Sequence, residues 1–143
     1  VDIDKKALDI AKINVENTDY TMGSDGLFAK RAEFVHSDIS KLKGVRADAV
    51  IQNPPFGTKV KNADREFIEK AIDIAHIVYS FHKSETLAFL ERFCAQNGAK
   101  ITHIWPFKYA LKGTYSFHRR QIHRINVSCI RIKKIDDGKY KRV

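Results

Sequence analysis

Short apolar segments alternate with segments of helical periodicity along this 143-residue chain, and the alternation limits the folds that it can adopt. It predicts the order β-α-β-β-α-β-α-β-β, with strands at Val1–Ile3, Glu33–His36, Asp48–Gln52, Ile77–Phe81, Ile101–Phe107 and Ile125–Ile132. Strands separated by helices favour a three-layer α/β fold with a mostly parallel sheet. Because no helix separates the last two strands, we expect them to pair antiparallel.

Three helices are predicted between these strands. The first covers Lys5–Asn17 and begins after Asp4, a residue type that caps helix N-termini. The second runs from about residue 64 to 75. The third begins at Ser84, a good N-cap, and ends at Asn97, before the stop signal Gly98.

The composition is that of an ordinary globular protein, with 43% hydrophobic and 30% charged residues. No apolar run approaches the roughly 18 residues that a membrane span needs. The two cysteines, Cys94 and Cys129, do not have the spacing of zinc ligands, so no metal site is predicted. We expect a single domain over residues 1–143 in the reducing cytoplasm.

The net charge of +9 is concentrated in the last third of the chain. Residues 1–99 hold 14 basic and 15 acidic side chains, whereas residues 100–143 hold 12 basic and two acidic ones. This asymmetry is typical of a phosphate-facing surface; the alternative is a solubility device or a disordered basic tail, which applies equally well to Lys139, Lys141 and Arg142 at the very end. The basic residues of this part of the chain are interleaved with aromatic rings that can stack on unpaired bases. The predicted RNA contacts are Lys83, Lys108, Lys112, His118, Arg119 and Arg120.

Polar residues follow the first three predicted strands, at the end of the sheet where α/β proteins bind ligands. Asp2 lies in the last residues of the first strand and Asp4 follows it, and Asp38 follows the second. An acidic residue after an early strand suits the two hydroxyls of a ribose, and Asp38 could accept from an adenine amino group. The alternatives are that Asp4 only caps the following helix and that Asp38 only forms a turn.

The third of these strands runs into Asn53-Pro54-Pro55-Phe56, whose prolines end the strand and restrict the backbone. The side-chain oxygen of Asn53 and the carbonyl of Pro54 offer two acceptors for the N–H bonds of an amino group. Phe56 offers a face on which a planar base can stack. The alternative is a rigid turn in which Phe56 packs in the core.

This tetrapeptide resembles the (Asp/Asn)-Pro-Pro-(Phe/Tyr) motif of S-adenosylmethionine-dependent amino methyltransferases. With the longer run NPPFGTK, YSFHK at residues 79–83 and TYSFH at residues 114–118, the chain resembles the methyltransferase-like 5 family. Members of that family methylate adenine N6 in small-subunit ribosomal RNA. The resemblance spans nearly the whole chain and implies a Rossmann-like class I methyltransferase fold.

The resemblance also implies roles for the residues at the strand ends. Asp2, with its neighbour Asp4, matches the site that binds the ribose of S-adenosylmethionine, and Asp38 matches a residue near the adenine of that cofactor. Residues 53–56 match the catalytic motif, in which Asn53 and Pro54 accept from the target amino group and the aromatic residue stacks. Asn53 also matches a cofactor-binding position.

Family members begin with a strand and a Gly-rich loop that cradles the cofactor, and this chain opens at the second strand. We therefore expect an N-terminally incomplete catalytic domain. One alternative is a protein-glutamine N5-methyltransferase, which shares the tetrapeptide but usually has Tyr where Phe56 stands. Another is a non-catalytic RNA-binding or scaffold domain with a degenerate methyltransferase fold. The resemblance further implies a small zinc-binding activator protein as a partner.

Four other side chains are assigned without reference to the motif. Cys94, Cys129 and Trp105 are expected to pack in the interior. His82 either approaches the substrate or is a buried structural histidine.

Overall fold

The computed structural model describes residues 1–17, 32–55, 63–112 and 122–135, and the chain divides into two compact units, Val1–Gly44 and Val45–Val143. The elements in chain order are α1 (Lys5–Glu16), a 3₁₀ turn (Ile39–Lys41), β1 (Ala47–Gln52), α2 (Ala63–Ile74), β2 (Ala75–Lys83), a second 3₁₀ turn (Ser84–Thr86), α3 (Leu87–Gln96), β3 (Ala99–Lys112) and β4 (Ile122–Lys134). The α/β class is confirmed. None of the described helices has the length and apolar character needed to cross a membrane.

In the first unit, the segments predicted as strands at residues 1–3 and 33–36 meet in a single parallel bridge between Asp2 and His36. The Asp2 amide donates to the Val35 carbonyl at 3.1 Å, and the Ser37 amide donates to the Asp2 carbonyl at 3.1 Å. Full strands were therefore the wrong expectation for these two segments. The helix prediction is confirmed, since Asp4 caps α1.

The second unit is built on a four-stranded sheet in the order β1-β2-β4-β3. β1 and β2 are parallel, and β4 is antiparallel to both of its neighbours. The predicted antiparallel pairing of the last two strands is confirmed. The expectation of a mostly parallel sheet is wrong for these four strands, because β4 inserts between β2 and β3 and so forms two antiparallel ladders.

Helices α2 and α3 pack on one face of this sheet, which we call the helix-covered face. Its core includes Val78 of β2, Ile130 and Ile132 of β4, Ile68 of α2 and Leu90 of α3. Burying such aliphatic side chains contributes roughly 1.5–3 kcal/mol each, which makes this cluster the main source of stability in the unit. The expectation that Cys94 is interior is confirmed, since it lies in the same cluster and is fully buried.

Aromatic side chains of β2 and β3 lie on the opposite face. Trp105 stacks on Tyr79 with 6.2 Å between ring centroids and on His103 with 5.4 Å. Its expected interior position is wrong, because 45% of Trp105 is exposed. The register explains this: Trp105 pairs with Cys129 of β4, which alternates with the buried Ile130 and so lies on the other face.

Several element boundaries differ from those predicted. Ser84 does not cap α3, since its hydroxyl lies 2.9 Å from that of Ser128 and a 3₁₀ turn precedes the helix. The stop at Gly98 is confirmed, with a φ of 66° that favours glycine. Lys108 and Lys112 lie within β3 rather than in the connecting segment, because β3 and β4 are longer than the sequence pattern indicates.

Candidate active site

The end of β1 is followed by an exposed asparagine and two prolines. β1 ends at Gln52, since the prolines that follow have no amide hydrogen for a sheet ladder. Asn53 is exposed, Pro54 is buried and Pro55 is exposed, so the chain packs against the protein at Pro54. Asn53 is thus accessible to a ligand, as the sequence predicts for an acceptor of an amino group. Phe56 lies outside the described residues.

A row of polar side chains lies directly before Asn53 and joins the carboxyl ends of β1 and β2. Gln52 Nε2 donates to Ser80 Oγ at 3.1 Å, and Ser80 Oγ lies 2.7 Å from His82 Nε2. Ser80 and His82 are only 0% and 2% exposed. We call these three residues the Gln52–Ser80–His82 row.

The buried histidine of this row has altered acid–base properties. Burial lowers the pKa of His82 to about 4, because it disfavours the charged imidazolium. The negative charge of Asp64 on α2 raises this pKa and so offsets only part of the effect. The imidazole is therefore neutral at pH 7. Of the two alternatives that the sequence left open for His82, the structure supports the buried histidine with a hydrogen-bond partner.

Gln52 and Ser80 were not singled out from the sequence. A signal for Ser80 does exist, because Val78, Ser80 and His82 alternate at the period of a strand and must share one face. Polar residues at two of three buried positions indicate a hydrogen-bonded arrangement, since a buried polar group without a partner is costly. The partner from β1 could not be read from this pattern.

In the first unit, the predicted cofactor-binding aspartates accept local hydrogen bonds. Asp2 Oδ1 accepts from the Asp4 amide at 2.8 Å, and Asp4 Oδ1 accepts from the Lys6 amide at 2.8 Å and the Ala7 amide at 3.4 Å. The helix-cap alternative for Asp4 is therefore present in the structure. Asp2 retains acceptor capacity, because a carboxylate has two oxygens and these bonds use one of them.

Asp38 caps the first 3₁₀ turn. Its Oδ1 accepts from the amide and the hydroxyl of Ser40, at 2.9 and 2.8 Å. The amide bond, followed by the hydroxyl bond, lowers the pKa of Asp38 and keeps the carboxylate ionised. The Asp2–His36 bridge holds the segment that contains Asp38 beside the segment that contains Asp2.

Of the predicted RNA-contacting residues, Lys83 and Lys108 are described with their side chains. Lys83 ends β2, makes an ion pair with Glu85 at 3.6 Å and lines a cleft of about 560 Å³ with Ile125 and Asn126. Lys108 is exposed on β3 and pairs with Asn126 in the register of β4.

The remaining predicted RNA contacts cannot be placed with their side chains. Lys112 ends β3, but its side chain lies outside the described part of the structure. His118, Arg119 and Arg120 lie outside the described residues altogether. Within the described ranges, no three His, Cys, Asp or Glu side chains come together as ligands for a metal ion.

The parallel pair β1–β2, the helices on one face and the antiparallel β4 fit a Rossmann-like class I methyltransferase fold. A solved structure supports this class. The chain matches the crystal structure of a candidate RNA methyltransferase from Pyrococcus horikoshii with a TM-score of 0.71 and 34% identity, over 94% of this chain and 61% of that one. The fold implied by the sequence is therefore confirmed.

Sequence comparisons show which proteins the chain resembles within this class. The rRNA N6-adenosine-methyltransferase METTL5 of Danio rerio is 33% identical over 135 residues, which are 91% of this chain and 61% of the relative. An uncharacterized protein of Methanocaldococcus jannaschii is 33% identical over 137 residues, 94% of this chain and 62% of the relative. The resemblance to the methyltransferase-like 5 family is confirmed. The chain spans about three-fifths of the length of these curated relatives, and no protein-family model matches it.

Proposed function

We propose that this chain is part of an S-adenosylmethionine-dependent methyltransferase that acts on the N6 amino group of adenine in RNA, within small-subunit ribosomal RNA. The observation that carries the proposal is Asn53, exposed after β1 and followed by the buried Pro54. The similarity to a relative named as an rRNA N6-adenosine-methyltransferase supports the same reaction and substrate.

The proposed chemistry at this turn depends on positioning. S-adenosylmethionine, when bound, supplies an electrophilic methyl group. Adenine N6 is a weak nucleophile because its lone pair is delocalised into the ring. The Asn53 side-chain oxygen and the Pro54 carbonyl accept its two N–H bonds, which favours a tetrahedral nitrogen and leaves the lone pair free to react. The two prolines hold both acceptors in place, so little reorganisation is needed during the reaction. The methylated nitrogen is strongly acidic, so it then releases its extra proton to water and no strong base is required.

Three of the residues proposed to hold the cofactor, Asp2, Asp4 and Asp38, lie in the first unit. The chemistry of Asp2 and Asp38 fits this group, because both are carboxylates with an oxygen not engaged in the bonds described above. Asp2 accepts from the ribose hydroxyls and Asp38 accepts from the adenine amino group. Asp4 acts through its neighbour, since its amide donates to Asp2 and orients that carboxylate. We propose Asn53 as a further cofactor contact.

For RNA, we propose contacts from basic side chains at the end of β2, on β3 and in the sequence that follows β3. Lys83 and Lys108 bind phosphates, and we propose the same role for Lys112, His118, Arg119 and Arg120. Two wider proposals come from the resemblance: a small zinc-binding activator protein as a partner, and a cytoplasmic location. We also propose that residues 1–143 belong to a single catalytic domain.

The test is methyl transfer from labelled S-adenosylmethionine to small-subunit ribosomal RNA by the intact protein, followed by mass spectrometry of the nucleosides. We expect N6-methyladenosine, and we expect Asn53→Ala to reduce its formation at least 100-fold, since one preorganised group can contribute that much. Asn17→Ala, at an exposed residue that ends α1, is the matched control and should keep full activity.

Each alternative has its own outcome in this assay. Methylation of a glutamine-containing peptide but not of RNA would favour the protein-glutamine methyltransferase. RNA binding without any transfer would favour the scaffold domain. Full activity of Asn53→Ala on RNA would show that Asn53 does not hold the target amino group.

A further inference from the structure

The Gln52–Ser80–His82 row has a role that follows from its place immediately before Asn53. We propose that His82 is a positioning residue, which acts through Ser80 and Gln52 to hold the end of β1, and with it Asn53, in the geometry that methyl transfer needs. This inference rests on the function proposed above for Asn53.

The first argument is where the sheet ladder stops. Gln52 and Ser80 are the last register partners of the parallel pair β1–β2. The two prolines that follow Asn53 donate no backbone hydrogen bond that could continue this ladder. The bond from Gln52 Nε2 to Ser80 Oγ therefore adds a side-chain connection at the point where the backbone connection ends.

The second argument is the direction of the hydrogen bonds. Because Ser80 Oγ accepts from the Gln52 amide, its own hydrogen is available for His82 Nε2, 2.7 Å away. His82 Nε2 then accepts, and the neutral imidazole carries its proton on Nδ1. If Nε2 carried a proton, Ser80 would have to accept both bonds, and its hydroxyl hydrogen would need another partner in a site with no solvent exposure.

The third argument is that the surroundings favour this single arrangement. Ser128 of β4 lies opposite His82 in the register, and its hydroxyl is engaged with that of Ser84. The negative charge of Asp64 on α2 raises the pKa of His82, but burial lowers that pKa by more. The row therefore has a single pattern of donors and acceptors at neutral pH. A single pattern is what a group of residues needs in order to hold the end of β1 in one position.

The test compares two substitutions of nearly equal size in the intact protein. His82→Leu removes the acceptor, whereas His82→Gln places an amide oxygen near the position of Nε2 and can accept from Ser80. We expect His82→Leu to lower kcat for methyl transfer about 10- to 100-fold, the effect of a small displacement of a reacting group. The KM for S-adenosylmethionine should change less than twofold, and His82→Gln should recover most of kcat.

Ser80→Ala is a smaller change that also breaks the connection between His82 and Gln52. It replaces His82→Leu in the test if that variant does not fold. We expect it to lower kcat in the same way. Leu90→Ala, a core substitution on α3, is the control for a purely structural effect and should leave kcat unchanged below its unfolding temperature. A ¹⁵N spectrum of the imidazole should show Nε2 without a proton at pH 7.

The results separate this inference from the proposed function. If Asn53→Ala is inactive while Ser80→Ala and His82→Leu keep the kcat of the wild type, only the positioning role is wrong. If Leu90→Ala lowers kcat as much as His82→Leu, the effect is structural and the positioning role is also wrong. If Asn53→Ala itself keeps full activity, the function assigned to that residue fails first.

Discussion

Protonation of His82 should destabilise the fold at mildly acidic pH. The pKa of His82 is about 4 in the folded protein, below the ordinary histidine value of 6.5, because burial disfavours the charged form. Between these two values the unfolded chain binds more protons than the folded one, so stability falls as pH falls. At 1.36 kcal/mol for each pKa unit, the full loss is about 3 kcal/mol, of which about 2 kcal/mol is lost between pH 7 and pH 5.

Urea unfolding at pH 7, 6 and 5 measures this loss. Trp105 is the single tryptophan and lies in the same sheet as His82, so its fluorescence reports the relevant transition. The free energy of unfolding of the wild type should fall toward that of His82→Gln as the pH decreases, because only the wild type can take up this proton. His103→Gln, at an exposed residue of β3, is the matched control and should follow the wild type.

The result that would refute this reasoning is a constant difference between wild type and His82→Gln from pH 7 to pH 5. It would mean that His82 takes up its proton equally in the folded and unfolded chains. The imidazole would then be hydrated in the folded protein, and the Gln52–Ser80–His82 row would not be as dry as its burial indicates.

Three further predictions concern single side chains. Gly98→Ala should cost about 1 kcal/mol in urea unfolding because the φ of 66° is unfavourable for alanine, although no atom lies within 4 Å of the added methyl group; an unchanged midpoint would show that the backbone relaxes. Cys94, whose pKa is raised to about 11 by burial, should react with iodoacetamide more slowly than the partly exposed Cys129, and equal labelling in peptide mass spectra would contradict this. Lys108→Gln should reduce the slope of log K for RNA against log salt by about 1, whereas Lys5→Gln on α1 should leave it unchanged; equal slopes for both variants would remove Lys108 from the RNA surface.

The features predicted correctly from the sequence depend on residues close together in the chain. Asp4 caps α1 through amides two and three residues away, and Gly98 ends α3 because it can adopt a positive φ. β1 ends before Asn53 because the prolines that follow cannot continue a sheet ladder, regardless of what packs nearby. Such local rules also explain why the α/β class could be predicted, since short apolar segments alternate with segments of helical periodicity along the chain.

The tertiary structure decided what depends on contacts between distant segments. The insertion of β4 between β2 and β3 makes the described sheet mixed, and it places Trp105 on the exposed face through the register with Cys129. The bond between Gln52 and Ser80 joins residues 28 positions apart. A sequence motif shows which side chains can take part in chemistry, because residue type and local backbone conformation depend on adjacent residues. The side chains that support the motif are determined only when separate strands pair, since strand order and register depend on the packing of the whole sheet.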